Sequence, residues 1–247
     1  MTFCLGIKLK GGLVGLSDTR ITSGNEVFLA KKVATFQQHG YPMFLMTSGL
    51  RSVRDKVLTY FDDELAGGAG YDRLYKAASA FGAQVRKVAQ EDGQALMESN
   101  LSFNIHALIG GRLSADSEPK LYLIYPQGNW VEINEARPYH IIGESGFGRP
   151  VLDRSLKHGD SIAWAFKVGC LAFDSTRISA SDVDFPLDVV LYRDGDPEVR
   201  SGRLQREDLA DLSKWWSERL RMAVSEIPQD WVDSLVDKVL KGPVRDS

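Results

Sequence analysis

Thr2 is the residue whose type and position in this sequence could do chemistry most directly. It follows Met1, and removal of that methionine would leave a hydroxyl nucleophile and a free α-amine on one residue. A free α-amine has a pKa of about 7.7 to 8.0, which is close enough to neutrality for it to act as a general base for its own hydroxyl. Such a threonine becomes a candidate nucleophile only if the fold places further polar groups beside it.

The first two predicted strands bring one such group towards Thr2. Residues 2–9 alternate in polarity, as a strand does, and residues 13–18 repeat the pattern. Between them, Lys10, Gly11 and Gly12 are typical of a hairpin turn, because glycine reaches the positive φ angles that such turns need. In an antiparallel pair the end of the second strand returns beside the start of the first, so we expect Asp18 to lie near Thr2.

The remaining pattern comes in blocks of strands and blocks of helices, which favours an α+β fold with layered sheets over a doubly wound parallel sheet. A polar loop is predicted at 22–25 and a turn at His39-Gly40. Strands are predicted at 27–36, 42–47, 102–109, 121–125, 129–133, around 140–142 and at 185–192. Helices are predicted at 51–65, 71–96, 149–156, 162–173, 209–224 and 230–240.

Composition and length indicate an ordinary globular chain. Its 247 residues are 43% hydrophobic, which allows one large domain with a sizeable core. We predict a domain over residues 1–205 and a helical C-terminal extension over 206–247, packed on that domain or on a neighbouring subunit. Trp215, Trp216 and Trp231 in that extension fit core packing and a subunit interface equally well.

Several classes of protein are disfavoured. No run of about 18 apolar residues is present, which argues against a transmembrane helix, and a net charge of −3 without a basic block argues against nucleic acid as a partner. Two cysteines are too few for a disulfide framework, so a cytoplasmic location is expected. The four histidines lie far apart in sequence, and neither a metal nor a cofactor is predicted.

Thr2 and several short motifs together resemble the β-type subunits of proteasomes. The matching positions keep the order and approximate spacing of that family: Thr2, Gly11-Gly12, Ser17-Asp18-Thr19-Arg20, Lys31-Lys32-Val33, Thr47-Ser48-Gly49 and Asp174-Ser175-Thr176. The opening residues 1–7 and the stretch 142–154 are similar more specifically to the bacterial ancestral-β-subunit (Anbu) homologues of the proteasome. The resemblance extends over about residues 2–195.

This resemblance implies a fold and a set of roles. The fold would be that of an N-terminal nucleophile hydrolase, a four-layer αββα sandwich of two antiparallel sheets between helical layers. Thr2 would be the nucleophile, Lys32 the cation beside it, Asp18 the carboxylate that holds the lysine, and the Gly49 backbone N–H the oxyanion donor. The resemblance also implies rings or spirals of identical subunits that enclose the threonines.

Elementary chemistry agrees with these roles. A lysine ammonium close to the α-amine would favour the neutral, basic form of the amine, and Asp18 would hold that lysine by a charge-assisted hydrogen bond. The expected cycle is attack of the Thr2 hydroxyl on an amide carbonyl, an ester intermediate, and hydrolysis by water. Removal of Met1, expected from an aminopeptidase that accepts a small second residue, is a condition for this activity.

The assisting serines of the family are displaced in this sequence. Ser145 or Glu144 stands where the family has a serine near the amine, so which of them takes that role is open. Asp174 matches the family's aspartate, with Ser175 and Ser179 as displaced candidates for the serine that follows it. Thr22, Lys31, Met46 and Leu50 are expected to line the substrate pocket.

Two other functions fit the same residues. The site could form or trim amide bonds on small peptides, because an amine can replace water as the acceptor of the acyl group. The chain could also be a silent assembly protein that keeps the fold and the ring without activity. No Gly-x-x-x-x-Gly-Lys-Ser/Thr motif is present, so any ATP-dependent unfolding partner would be a separate protein.

Overall fold

The computed structural model describes residues 2–23, 26–37 and 40–241. It separates into two compact units, Met1–Leu209 and Ala210–Ser247. The strands of the first unit are β1 (Phe3–Leu9), β2 (Gly12–Asp18), β3 (Arg20–Ser23), β4 (Glu26–Leu29), β5 (Val33–Thr35), β6 (Met43–Gly49), β7 (Ile105–Gly111), β8 (Lys120–Ile124), β9 (Trp130–Glu132), β10 (Tyr139–Gly143), β11 (Leu187–Arg193) and β12 (Arg200–Leu204). Its helices are α1 (Arg51–Ala66), α2 (Leu74–Glu98), α3 (Arg149–Ser155), α4 (Ile162–Ser179) and a 3-10 turn at Arg206–Leu209.

These strands form three sheets, and every strand pair in the described residues is antiparallel. The first sheet has the order β10-β1-β2-β11-β12, and the second has the order β5-β6-β7-β8-β9. The short strands β3 and β4 form a separate ribbon. The predicted hairpin is confirmed, with Leu9 opposite Gly12 and Cys4 opposite Ser17. The protein therefore has a mixed α/β fold with antiparallel sheets.

Three clusters of buried side chains hold the first unit together. One lies between the second sheet and helices α1 and α2, and includes Leu45, Phe61 and Phe81. Another lies between the first sheet and helices α3 and α4, with Phe3 and Phe173 at its centre. The third contains side chains of both sheets, such as Leu13 of β2 and Phe44 of β6, so the two sheets share a core.

The second unit consists of two helices, α5 (Ala210–Ser225) and α6 (Asp230–Lys241). Helix α5 has no buried residue. Trp231, Leu235 and Val239 on α6 are all about half exposed or more. Apolar side chains that recur at this spacing lie on one face of a helix.

The structure differs from the sequence-based elements mainly near Lys32. The strand predicted at 27–36 is two strands, β4 and β5, because the chain leaves the ladder at residues 30–32 and the Lys32 side chain turns into the interior. The loop predicted at 22–25 begins as strand, with Thr22 and Ser23 in β3, and its residues 24 and 25 lie outside the described residues, as does His39. Strand β12 was not predicted.

Candidate active site

Thr2 is held between the start of β1 and the end of β10. The Glu144 amide N–H donates a hydrogen bond to the Thr2 carbonyl oxygen over 2.6 Å, and Phe3 pairs with Gly143 in the ladder. Gly143 has a φ of +91°, and a Cβ at that residue would come within 1.9 Å of the Thr2 carbonyl oxygen. Only glycine fits at position 143 while Thr2 keeps this place.

Asp18 lies at the end of β2 and is completely buried. Its Oδ1 accepts a hydrogen bond from the Phe3 backbone N–H over 2.8 Å, and its Oδ2 accepts one from the Arg20 N–H over 3.1 Å. The expected proximity of Asp18 to the N-terminal residues is therefore seen in the structure. Burial raises the pKa of the Asp18 carboxyl, and the Lys32 ammonium opposes that shift.

Lys32 is the cation that pairs with this carboxylate. Its Nζ lies 2.7 Å from Asp18 Oδ1 and donates a second hydrogen bond, also over 2.7 Å, to the Arg20 carbonyl oxygen. The Lys32 side chain is 1% exposed. The Lys32 carbonyl oxygen accepts a hydrogen bond from Thr47 N–H over 3.0 Å, which fixes the lysine against the end of β6. These three hydrogen bonds hold the Lys32 ammonium group at one position beside Asp18.

Gly49 forms the junction between β6 and α1. Its φ is +129°, and a Cβ there would lie 2.2 Å from the Asn104 carbonyl oxygen. That same oxygen accepts a hydrogen bond from Leu50 N–H over 2.9 Å. The positive φ and the close approach of the Asn104 backbone both require glycine.

A cavity of about 530 Å³ joins these residues. Its volume is in the range of ordinary small-molecule sites. Thr2, Lys32, Gly49 and Leu50, all predicted from the sequence, line it, together with Ile21, Phe28, Ser48, Arg51, Arg54, Asn104 and Gly143. A hydroxyl-bearing residue, an ammonium group and a glycine backbone thus meet at one opening.

Comparison with known proteins identifies the family. No family model matches the chain, and no curated protein sequence matches it significantly. Among solved structures, an Anbu (Gly-1) mutant from Hyphomicrobium sp. strain MC1 is 31% identical, with a TM-score of 0.84 over 92% of this chain and 99% of that one. The chain belongs to the Anbu family.

Two other Anbu structures support this assignment. Anbu (ancestral beta-subunit) from Yersinia bercovieri is 26% identical, with a TM-score of 0.82 over 92% of this chain and 98% of that one. The Anbu complex from Pseudomonas aeruginosa, described as a helical assembly, is 27% identical, with a TM-score of 0.84 over 92% of this chain and 97% of that one. The expected kinship with proteasome β-type subunits is confirmed at the level of this family.

Three of the predicted catalytic residues, Asp18, Ser145 and Asp174, are not among the residues that line the cavity in this Anbu-family chain. Asp18 is fully buried and contacts Lys32, which does line it. Ser145 lines a separate cavity of about 140 Å³, beside His140 and Arg149. Asp174 lies on the buried face of α4, and its Oδ1 is 2.7 Å from an Arg177 guanidinium nitrogen. Neither Ser145 nor Asp174 is therefore part of the described wall of the cavity that Thr2 lines.

The structure also shows how the candidates for the assisting role differ in their contacts and exposure. Glu144 contacts Thr2 through its backbone, while its side-chain Oε1 accepts a hydrogen bond from Gly146 N–H over 3.1 Å. Ser175 is half-buried on α4 and Ser179 is exposed at its end. Among the four candidates, only Glu144 has a described hydrogen bond to Thr2.

Among the predicted pocket residues whose side chains the structure describes, Leu50 alone lines the cavity. Met46 does not, because its side chain points into the core between the two sheets and is fully buried. Lys31 is exposed and lines a different cavity beside Asp188. The Thr22 backbone pairs with Val27, and its side chain lies outside the described residues.

Sequence reasoning missed three polar residues that line the cavity, Arg51, Arg54 and Asn104. Arg51 and Arg54 come directly after the Thr47-Ser48-Gly49 motif at helical spacing, and that spacing could have indicated a pair on one face of α1. Asn104 reaches the cavity because Ile105 pairs with Gly49. That pairing joins residues distant in sequence and leaves no local signal.

Two negative findings concern only the described part of the chain. No group of three or more His, Cys, Asp or Glu side chains there has the arrangement of a metal site. None of the helices there has both the length and the apolar character needed to cross a membrane.

Cys4, next to Ser17, is fully buried, and burial raises the pKa of its thiol to about 12, so this thiol is protonated at neutral pH.

Proposed function

We propose that this chain is a proteasome-type threonine hydrolase that cleaves amide bonds through Thr2. The observation that carries the proposal is the buried Asp18–Lys32 pair, 2.7 Å apart, at a cavity also lined by Thr2 and Gly49. Removing two charges from water is costly unless they are paired and hydrogen-bonded. The burial of the Asp18–Lys32 pair at the cavity that Thr2 also lines therefore favours a functional role for the pair over a purely structural one.

The reaction begins with the α-amine of Thr2 accepting the proton of its own hydroxyl. The Thr2 oxygen then bonds to the carbonyl carbon of an amide, and the Gly49 N–H donates to the oxygen that becomes negative. Removing one such donor from comparable sites costs about 3 to 4 kcal/mol of transition-state stabilisation. The carbon–nitrogen bond breaks, and the leaving amine takes the proton from the α-ammonium, which gives an ester on Thr2.

Water completes the cycle. The neutral α-amine accepts a proton from water, the hydroxide oxygen bonds to the ester carbonyl carbon, and the Thr2 oxygen leaves and regains its proton. The Lys32 ammonium keeps the amine neutral by charge repulsion, and Asp18 keeps the lysine in place. This chemistry requires that Met1 has been removed, because an amide nitrogen is not a base.

The same proposal extends to the finer description of the fold. The three buried clusters support four layers in the first unit, α1 and α2, the second sheet, the first sheet, and α3 and α4. Such a sandwich presents the ends of β1, β2 and β6 on one side. Thr2, Asp18 and Gly49 then meet at those ends.

We also propose that the chain forms a homo-oligomer in which the second unit, packed on a neighbouring subunit, supplies part of the contact. The related protein from Pseudomonas aeruginosa is described as a helical assembly. In this chain, exposed apolar side chains of α6 recur on one face, namely Trp231, Leu235, Val236, Val239 and Leu240. Contiguous exposed apolar surface of this kind marks an interaction site.

A peptide epoxyketone tests the proposed chemistry, because it closes a ring with a hydroxyl and a free α-amine of one residue. We expect intact-mass spectrometry to show one addition per chain, located on Thr2 by peptide mapping. Thr2→Ala should abolish the addition, whereas Thr59→Ala, which removes an exposed threonine on α1, should retain it. A chain that begins with Thr2 yet remains unlabelled would favour the silent assembly protein.

A further inference from the structure

The cavity beside Thr2 is more basic than the proposed reaction requires. Three of its described lining residues carry positive charge, Lys32, Arg51 and Arg54, and none of the described residues that line it is an Asp or a Glu. Asp18 neutralises Lys32 at 2.7 Å. The two arginines therefore carry the charge that the catalytic arrangement leaves unexplained.

Arg51 and Arg54 share a single carboxylate. Nε and Nη2 of Arg54 lie 3.1 and 3.0 Å from Asp55 Oδ1, and Nε of Arg51 lies 3.3 Å from Asp55 Oδ2. The Asp55 side chain is 51% exposed and does not line the cavity. Two guanidinium groups thus face one solvated carboxylate, which leaves an excess of one positive charge at this wall.

The Arg54 side chain is a cation that is almost completely buried. Arg54 is 5% exposed, and a charged side chain is rarely buried to this extent without full pairing. Both arginines lie in the first five residues of α1, where the helix dipole disfavours positive charge and favours anions. The first turn of α1 contains no acidic residue, and its N-cap makes no side-chain hydrogen bond. An anion at this wall would be stabilised by the arginines and by the helix end together.

We propose that this cavity binds a carboxylate of the substrate and that Arg51 and Arg54 determine this specificity. The carboxylate belongs to the residue whose carbonyl Thr2 attacks, so the inference rests on the proposed function. Two substrates offer that chemistry, an α-linked peptide with a glutamate side chain, and a γ-glutamyl amide with its free α-carboxylate. Ile21 and Phe28 give the cavity an apolar wall for the methylene groups of either one.

Three amide substrates test the inference with the processed protein. They are an N-acetylated peptidyl-glutamate amide, the matching glutamine amide, and a γ-glutamyl amide. We expect kcat/KM for one of the two carboxylate substrates to exceed that for the neutral glutamine substrate by at least about tenfold, as for hydrogen bonds to a charged group. The preferred carboxylate substrate identifies the linkage. Equal kcat/KM values for all three would overturn the inference.

Variants assign the preference to the two arginines. Arg51→Gln and Arg54→Gln should reduce kcat/KM for the preferred carboxylate substrate by about tenfold each, mainly through KM, and should reduce kcat/KM for the neutral substrate much less. Arg54→Lys should retain part of the preference, since it keeps the charge and loses the planar fork. Arg73→Gln, at an exposed arginine before α2, should change nothing. A uniform loss on all substrates would indicate a merely structural role and contradict the proposal.

Binding to a Thr2→Ala variant separates this inference from the proposed chemistry. Isothermal titration calorimetry should show that N-acetyl-glutamate binds at least about tenfold more tightly than N-acetyl-glutaminamide, which has no carboxylate, and that adding Arg51→Gln or Arg54→Gln removes the difference. If the epoxyketone labels Thr2 but no carboxylate preference is found, the inference fails and the hydrolase proposal stands. If carboxylate binding is found but Thr2 is never labelled or acylated, the hydrolase proposal and the catalytic part of the inference both fail.

Discussion

At the scale of residues, the buried ion pair of Asp18 and Lys32 is the most demanding feature of the site. Asp18 accepts hydrogen bonds from two backbone N–H groups and from Lys32, so its carboxylate is satisfied only while the lysine is present. Breaking a buried pair by removing one partner leaves an uncompensated charge in the interior. The pair is therefore expected to affect stability as well as chemistry.

Lys32→Met should lower the free energy of unfolding by about 3 to 5 kcal/mol, because Asp18 stays buried without its cation. Urea denaturation measures this difference, and epoxyketone labelling of Thr2 should be lost in the same variant. Lys31→Met, at the exposed neighbour, should stay within about 0.5 kcal/mol of the unmodified protein. Adding Asp18→Asn to Lys32→Met should restore part of the lost stability, because it removes the unpaired charge. Equal free energies of unfolding for Lys32→Met and Lys31→Met would contradict the role of the pair.

His140 gives the stability a pH dependence of known sign. Burial, with smaller contributions from Arg137, His106 and Arg149, lowers the pKa of His140 to about 4, while the unfolded chain keeps an ordinary value of about 6.5. The unfolded state therefore takes up the proton first as the pH falls. The stability that this histidine contributes is complete above about pH 6.5 and is lost progressively between about pH 6.5 and 4.

The matched comparison is between the unmodified protein and His140→Gln. From pH 7 to 4.5, the unmodified protein should lose on the order of 1 to 2 kcal/mol more unfolding free energy than the variant, allowing for the partial solvation of the ring. Denaturant unfolding at both pH values measures it. Equal losses in the two proteins would show that this histidine titrates normally.

At the scale of elements, the junction of β6 and α1 determines how the cavity is built. Gly49 turns the chain, Leu50 bonds to the Asn104 carbonyl oxygen, and the first turn of α1 carries Arg51 and Arg54. The proposed oxyanion donor, Gly49, and the two arginines of the cavity wall consequently come from one continuous segment. A disturbance at Gly49 should affect both.

Gly49→Ala should destabilise the fold by more than about 2 kcal/mol. It adds the cost of a positive φ, about 1 to 2 kcal/mol, to a Cβ placed 2.2 Å from the Asn104 carbonyl oxygen. Gly68→Ala is the control, because Gly68 also has a positive φ of +85° but open space around the new Cβ. Thermal or urea unfolding compares them, and a Gly49 variant no less stable than the Gly68 variant would exclude the close approach.

The local parts of this arrangement could be predicted from the sequence. The hairpin of β1 and β2 follows from alternation and two glycines, and it brings Asp18 to the N-terminus without any long-range information. The two faces of β6 could not be separated in the same way. Met43 and Leu45 face α1 and α2, whereas Phe44 and Met46 face the other sheet, and a run of apolar residues buried on both faces has no alternation to read.

At the scale of the whole molecule, the second unit has an apolar face that its own two helices leave exposed. Trp231, Leu235, Val236, Val239 and Leu240 lie on one side of α6, while Ser234 and Asp237 lie on the other side. This distribution is the basis for proposing that the unit packs on another copy of the chain.

Leu235→Asp should weaken that assembly, because it places a carboxylate at the proposed contact. Sedimentation velocity should show a shift from large species towards smaller ones, with an unchanged circular dichroism spectrum. Ser234→Asp adds the same charge on the polar side of α6 and should leave the sedimentation profile as it is. Identical profiles for both variants and the unmodified protein would contradict a contact through this face.

The central claim is that Thr2 carries a free α-amine. N-terminal sequencing, or top-down mass spectrometry, of the protein isolated from its own cells measures this directly. The account predicts a mature chain whose first residue is Thr2, with its amine unmodified. A protein that retains Met1, or any other residue ahead of Thr2, would have the cavity and the buried ion pair but no base, and would contradict the proposed hydrolase.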